Sequence, residues 1–501
     1  MANFLKRQKI ISLFLSIVFL LIPLVVTVSI AHFYFHSNLL HTHILWGDEI
    51  IYWQEITTFK EVGFSGGYST YGELISKASF SHFGAHGPVY PVFMGLLSRI
   101  FGWSKISGPL YNLAFIFIGM LIYLVLVKPD NRQKIFLCLF FLFFSPILLY
   151  LPTTMQESLN QSFGFLIGAF LIVHLSKDPP PAWISVVAVA TVLFASLIRI
   201  TWALALFPLI YLIFQNKGKK RFWLSFAVSL PVILLLGFLY IYWTSAYPFS
   251  FLYQVSQINP FTFSSLVSAF WVHFQQNILQ WFSFSSGNPL EVFQRYLILF
   301  LILGMVLLIL KGKRIFSYFL FLLAGETAIT VIFYDVSYFR DYRTLAPFII
   351  ITILALISEL DSSWVRAIAL LAILSQFFFI PSFLKLYMDD FHKLRFAVTE
   401  DQHYDHKLVE ALSDIEYKKS DTIWCNSLLA IADFSPEYLT IPAGIGINYY
   451  AKLPQNDPIK SHYILVQTSA VKTLNLPGEL HLLYKGDDNS LFEQTADSCL
   501  K

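Results

Sequence analysis

The run HILWGDEIIYW, residues 43–53, sets two adjacent acids, Asp48 and Glu49, among aromatic and aliphatic neighbours. A carboxylate in such surroundings can take a proton from a hydroxyl or hold a cation. It can equally cap a helix, and Asp48, directly after Gly47, is placed for that. Charge interrupts apolar sequence at three further places: Glu157 in TTMQESLNQS, Arg199 in FASLIRITWAL, and Arg340 with Arg343 in FRDYRTLAP. Charge is costly beside lipid, so each position needs a reason. A guanidinium presents a planar fork of donors that suits phosphate or carboxylate. For Glu157 and Arg199 the plain alternative is a side chain at a span end reaching into the headgroups. For one of the later arginines it is pairing with Asp335 or Asp341.

These residues need elements to hold them. Treated as a helix, residues 47–60 put Trp46, Ile50 and Trp53 on one stripe, with Asp48, Tyr52, Glu55 and Phe59 opposite. Such a helix would lie on the membrane surface with its tryptophans at headgroup depth and Asp48 turned away from lipid. Further on, HFGAHGPVYPVFMGLLSRIFG (82–102) brings His86 and Tyr90 to the start of a second apolar helix, which Pro88 and Pro91 can open. Glycines 63, 66, 67 and 72 lie between the two. The whole segment is suited to form one wall of a cavity at a membrane face. His32, His36, His41 and His43 precede the acids, and His82 and His86 follow. Interfacial polar residues or a divalent-cation site both fit that cluster, and no ligand set is assigned.

The scaffold is greasy. Of 501 residues, 56% are hydrophobic, 18% aromatic and only 13% charged, where a soluble domain carries about 25% charge. That predicts a mainly α, polytopic membrane protein. A net charge of +3 gives no footprint for nucleic acid. Apolar runs recur at 10–31, 106–127, 134–151, 158–175, 182–197, 199–214, 222–244, 292–310, 315–334, 344–358 and 364–384, which makes about eleven spans. The first is read as an uncleaved anchor, and the short run 88–102, which precedes the second span, as re-entrant or interfacial. Basic residues fall in MANFLKRQK and in alternate loops, KPDNRQK, QNKGKKR, KGKR and SSWVR among them. The positive-inside rule puts these and the N-terminus in the cytoplasm. It leaves loop 32–105, loop 245–290 and the tail outside.

The division predicted is a transmembrane domain over 1–387 and a small extracytoplasmic α/β domain over 388–501. In the tail, 406–415 reads as an amphipathic helix, and 421–425, 438–441, 462–468 and 479–486 as strands. AGIGINYY (443–450) reads as a glycine turn without a phosphate-binding fingerprint. The cysteines, Cys138, Cys425 and Cys499, have no metal spacing; Cys425 and Cys499 could pair in an extracytoplasmic tail.

The ordered set of motifs resembles the multispanning GT-C class of glycosyltransferases, which includes protein O-mannosyltransferases and aminoarabinose transferases of lipid A. The resemblance rests on GDEIIYWQEI, HGPVYPVFMGLLSRIFG, SGPLYNLAFIFIGMLIYLV, TTMQESLNQSFGFLIGAFLI, FASLIRITWALALFPLIYL and FRDYRTLAPFIIITILAL, in that order over roughly residues 1–385. The sequence departs from the family at His86, where many members have lysine. The resemblance implies a GT-C-like fold and a sugar carried on a polyprenyl phosphate. The acceptor would be a glycan, lipid or protein, met at the extracytoplasmic face of the plasma or inner membrane. It assigns Asp48 as the base, with Glu49 and Glu157 as further acids of the catalytic group. His86, Arg199, Arg340 and Arg343 would meet the donor phosphate, and Tyr52, Glu55 and Tyr90 would line the substrate loop. The resemblance fixes no cofactor, since some members use a divalent cation and others do not. Two rivals share parts of this pattern. An O-antigen polymerase or ligase would rely on a large later loop, and a lipid or solute transporter on inverted repeats and mid-membrane polar groups.

Overall fold

Long apolar runs can satisfy their backbone within a bilayer only as helices, and helix dominates this chain. A computed structural model gives the fold and describes residues 2–39, 47–65, 69–71, 87–104, 106–176, 180–214, 218, 220–243, 258, 260–282, 289–333, 343–387, 406–418, 421–425, 444–449, 459, 461–472 and 480–494. Among them the helices in chain order are α1 (Ala2–Phe35), α2 (Gly47–Val62), α3 (Val89–Phe101), α4 (Ser107–Val127), α5 (Asn131–Phe141), α6 (Ser145–Tyr150), α7 (Glu157–His174), α8 (Ala182–Ile198), α9 (Leu206–Ile213), α10 (Arg221–Trp243), α11 (Phe263–Phe282), α12 (Pro289–Leu310), α13 (Phe316–Phe333), α14 (Ala346–Ser358), α15 (Ser363–Phe378), α16 (Ile380–Leu386) and α17 (His406–Ser413). Four segments are long and apolar enough by themselves to cross a membrane: Arg7–Phe35, Ser107–Val127, Arg221–Tyr240 and Val292–Leu310. Shorter apolar helices pack among them.

Several expected spans are broken rather than continuous. Run 134–151 divides into α5 and α6, where Pro146 opens the second helix in its first turn. Run 199–214 is a 3-10 turn, Ile200–Ala205, followed by the short α9. Run 364–384 divides at Phe379, with a proline again in the first turn of the next helix. The loop expected over 245–290 contains the 20-residue α11. Its polar His273 and Asn277 are turned inward, where Asn277 Nδ2 donates to the Val331 carbonyl at 2.7 Å.

Small residues let the central helices close up. A Cβ on Gly119 of α4 would lie 3.0 Å from the carbonyl oxygen of Ser162 in α7, and one on Gly164 would lie 2.8 Å from the carbonyl oxygen of Pro347 in α14. Ser162 Oγ also donates to the Phe115 carbonyl at 2.7 Å, stitching α7 to α4. Close backbone approach of this kind is a main source of helix association in lipid. Both α7 and α14 are buried over almost their whole length.

The remaining layer is one mixed sheet of β1 (Ser69–Tyr71), β2 (Thr422–Cys425), β3 (Gly446–Tyr449), β4 (Tyr463–Gln467), β5 (Leu480–Lys485) and β6 (Asn489–Gln494), in spatial order β1-β3-β2-β4-β6-β5. Pairing is parallel from β1 to β4 and antiparallel beyond. Two features correct the sequence reading. The glycine turn is in part a strand, β3, and the first loop supplies β1 to the same sheet. The segment 438–441 lies outside the described residues, as does Cys499; Cys425 is a buried free thiol. Burial pushes that thiol upward and pushes Tyr463 up to about 12.

Helix α2 also differs from its expected place. It does not lie on a surface with one side open. From Glu49 to Glu55 every side chain is buried. Tyr52 and Ile56 belong to the membrane-helix core, whereas Ile50 and Ile51 join Leu408, Ile423 and Ile447 in the core beneath the sheet. Gln54 Nε2 donates to the Ile445 carbonyl at 3.1 Å. Trp53 stacks on Trp103 with centroids 4.5 Å apart, and Trp46 lies outside the described residues.

The close approach at Gly119 has a direct consequence. Gly119→Ala must push α4 and α7 apart and lower stability by about 1–3 kcal/mol, the usual range for overpacking. Gly237→Ala, where a Cβ meets nothing within 4 Å, is the matched control. Thermal unfolding in detergent should show a lower midpoint for the first and none for the second. Equal midpoints would contradict this packing.

Candidate active site

Four element ends converge. Asp48 and Glu49 stand in the first turn of α2, Glu157 opens α7, Arg199 follows the last residue of α8, and Arg343 lies in the turn before α14. Acids at the first turns of α2 and α7 sit where the helix dipole favours negative charge. Arg199 has extended backbone, φ −143° and ψ 112°, which interrupts the helical path and frees its side chain to turn inward.

A chain of polar contacts joins them. Arg343 Nη1 pairs with Asp48 Oδ2 at 2.5 Å, and Arg343 Nε donates to Tyr150 Oη at 3.2 Å. The Arg343 guanidinium also lies 5.9 Å from the centre of the Tyr150 ring. The Arg343 carbonyl accepts from Arg199 Nη1 at 3.0 Å, and Arg199 Nη2 reaches Glu157 Oε1 at 3.3 Å. Exposure separates the two ion pairs. Asp48 and Arg343 retain 23% and 30% of their side-chain surface, whereas Glu157 and Arg199 retain 2% and 10%. Both members of the inner pair are turned into the protein. The outer pair is the accessible one.

The two adjacent acids of the opening motif do different things. Glu49 is buried, and its Oε1 accepts the Thr154 backbone N–H at 2.8 Å. Tyr90 Oη donates to the Thr154 carbonyl at 2.9 Å. Asn112 Nδ2 donates to the carbonyls of Tyr150 and Thr153 at 3.2 and 2.6 Å. The segment that leads from Tyr150 at the end of α6 to Glu157 is thus held from α2, α3 and α4. Tyr52 and Tyr90 meet edge to face, with centroids 4.9 Å apart. Burial raises both phenols well above their ordinary range, and nearby acids, Glu157 foremost, add to it. Phenols held neutral in this way act as hydrogen-bonding groups, not as bases.

The structure therefore gathers Asp48, Glu49, Tyr52, Tyr90, Glu157, Arg199 and Arg343. Glu55 is buried farther along α2. His86 and Arg340 lie outside the described residues, as do His41, His43, His82, Asp335 and Asp341. His32 and His36 are exposed at the end of α1, and among the described residues no group of three His, Cys, Asp or Glu side chains is placed to hold a metal. Tyr150 and Asn112 were missed by sequence reasoning. Asn112 had a signal, as an amide inside an apolar run; Tyr150 had none, being one aromatic among many.

No protein-family model matches the chain, and no curated protein sequence matches it. Among solved structures, the crystal structure of ArnT from Cupriavidus metallidurans bound to undecaprenyl phosphate superposes with a TM-score of 0.50 at 11% identity, covering 96% of this chain and 98% of that one. The apo state of the same protein gives 0.48 at 12% identity, with the same coverage. The chain thus shares the fold of that ArnT structure over nearly its whole length, and four of its helices are long and apolar enough to cross a membrane.

Proposed function

We propose that this protein is a membrane glycosyltransferase that moves a sugar from a polyprenyl-phosphate donor to a hydroxyl-bearing glycan, lipid or protein at the extracytoplasmic face. The observation that carries the reading is the Asp48–Arg343 pair, part-exposed and backed by the buried Arg199–Glu157 pair. The shared architecture with a protein crystallised with undecaprenyl phosphate supports it. So does the loop charge pattern, which puts the N-terminus in the cytoplasm and the sheet outside.

The chemistry requires little else. The acceptor oxygen bonds to the anomeric carbon as the bond from that carbon to the phosphate oxygen breaks, and the configuration inverts. Asp48 takes the acceptor proton. The departing phosphate monoester gathers negative charge, which Arg343 and Arg199 meet with charge-assisted hydrogen bonds. Donor phosphate and Asp48 compete for Arg343, so donor binding frees the carboxylate for its role. Glu49 holds the 151–156 segment, and Glu157 holds Arg199. A divalent cation is not required by this scheme.

Two variants separate the neighbouring acids. Asp48→Asn should lower transfer from radiolabelled polyprenyl-phosphate sugars by about 100-fold to 10,000-fold, the range for a lost general base, with the melting temperature little changed. Glu49→Ala leaves the Thr154 N–H without its charged partner, so it should cost about 1.5–3 kcal/mol of stability as well as activity. Full transfer by Asp48→Asn would remove Asp48 from the chemistry. A wild type that transfers nothing from any polyprenyl donor would turn the reading toward a polymerase or a transporter.

A further inference from the structure

The break after α8 holds more than Arg199. Trp202 lies three residues on, fully buried in the 3-10 turn Ile200–Ala205. Its backbone N–H donates to the Arg199 carbonyl at 3.1 Å, the bond that closes this turn. Residues three apart eclipse in a 3-10 turn, so Arg199 and Trp202 project from one edge. On α7, Glu157 and Asn160 are also three apart and share a face. The two edges meet in register. Arg199 Nη2 reaches Glu157 Oε1 at 3.3 Å, and Trp202 Nε1 donates to Asn160 Oδ1 at 2.9 Å.

The correspondence extends to α14. Arg199 Nη1 donates to the carbonyl of Arg343, in the turn before that helix. The Trp202 indole stacks on Phe348 in its first turn, with centroids 4.8 Å apart and planes 24° from parallel. Trp202 thus repeats the two contacts of Arg199 one turn further along, with a neutral donor in place of a charged one. Burial makes this second rung exacting. Asn160 is fully buried as well, and its Nδ2 donates to the Gln156 carbonyl at 3.1 Å, which leaves Oδ1 turned to the indole. An indole N–H or an amide oxygen kept from water is costly unless paired, so the bond between them fixes the turn against α7. The ion pair sets the position less sharply, because its 3.3 Å is long for a charge-assisted bond, usually about 2.7–2.9 Å.

We propose that Trp202, through its hydrogen bond to Asn160, is a positioning residue that sets the Arg199 guanidinium where it meets the phosphate of the lipid donor. This rests on the role given to Arg199 above. Trp202 has no exposed surface and does not touch substrate. It acts on the turn from which Arg199 projects. The Arg199 side chain can then move from Glu157 toward phosphate while its backbone stays in place.

The test compares the binding of two lipids, undecaprenyl phosphate and the uncharged alcohol undecaprenol, to the full-length protein in lipid nanodiscs. Trp202→Phe keeps a ring against Phe348 and removes the N–H. It should weaken undecaprenyl phosphate binding by about tenfold, the scale of coupling between residues in contact, and leave undecaprenol binding unchanged. Asn160→Leu cuts the same bond from the other side and should do the same; it carries the test if Trp202→Phe folds poorly. The double variant should be no worse than either single one. In an Arg199→Gln background, Trp202→Phe should have no further effect. Equal losses for the two lipids would show that Trp202 serves packing alone and would overturn the proposal. Wild-type phosphate affinity in both single variants, or a loss that adds in full to that of Arg199→Gln, would overturn it too. Each of these results leaves the glycosyltransferase reading in place. A wild type that binds undecaprenyl phosphate no better than undecaprenol would overturn both.

Discussion

Arg343 ties the site together. Its guanidinium pairs with Asp48 and leans on Tyr150, and its backbone carbonyl receives Arg199. One residue thus joins α2, the end of α6 and the break after α8. The order of burial matters as much as the contacts. The inner pair, Arg199 and Glu157, is almost sealed, whereas the outer pair remains part-exposed. A sealed pair is hard to break because either charge left alone would be unsolvated. A part-exposed pair can exchange partners. The site combines a nearly sealed inner pair with an outer pair that keeps part of its surface open.

Helix α2 makes this possible by serving two cores. Tyr52 and Ile56 pack into the membrane helices, and Ile50 and Ile51 pack beneath the sheet. Strand β1, which follows α2 in the chain, extends that sheet beside β3. The sheet is thereby coupled to the helix that carries Asp48.

Much of the site could be read from the chain because charge in apolar sequence is conspicuous. Asp48, Glu157, Arg199 and Arg343 were visible for that reason, and they meet at one end of the bundle. The helix at 406–413 and strands β2, β4 and β5 were visible through their periodicity. Other features depend on partners far away in sequence. A three-residue strand such as β1 has no local signature and is defined by its pairing with β3. The glycine run at 443–450 suggested a turn, yet in β3 the sheet neighbours decide its conformation. The stripes of α2 suggested one lipid side and one open side, because an apolar stripe does not reveal that a second core covers the other face.

The central claim is that the convergent charges receive a lipid phosphate. The most direct measurement is a cryo-electron microscopy structure of the protein in nanodiscs with undecaprenyl phosphate. The account predicts phosphate density within hydrogen-bond distance of the Arg343 guanidinium, with Asp48 released from it and Arg199 still close by. Phosphate density elsewhere, with the Asp48–Arg343 pair intact, would contradict it.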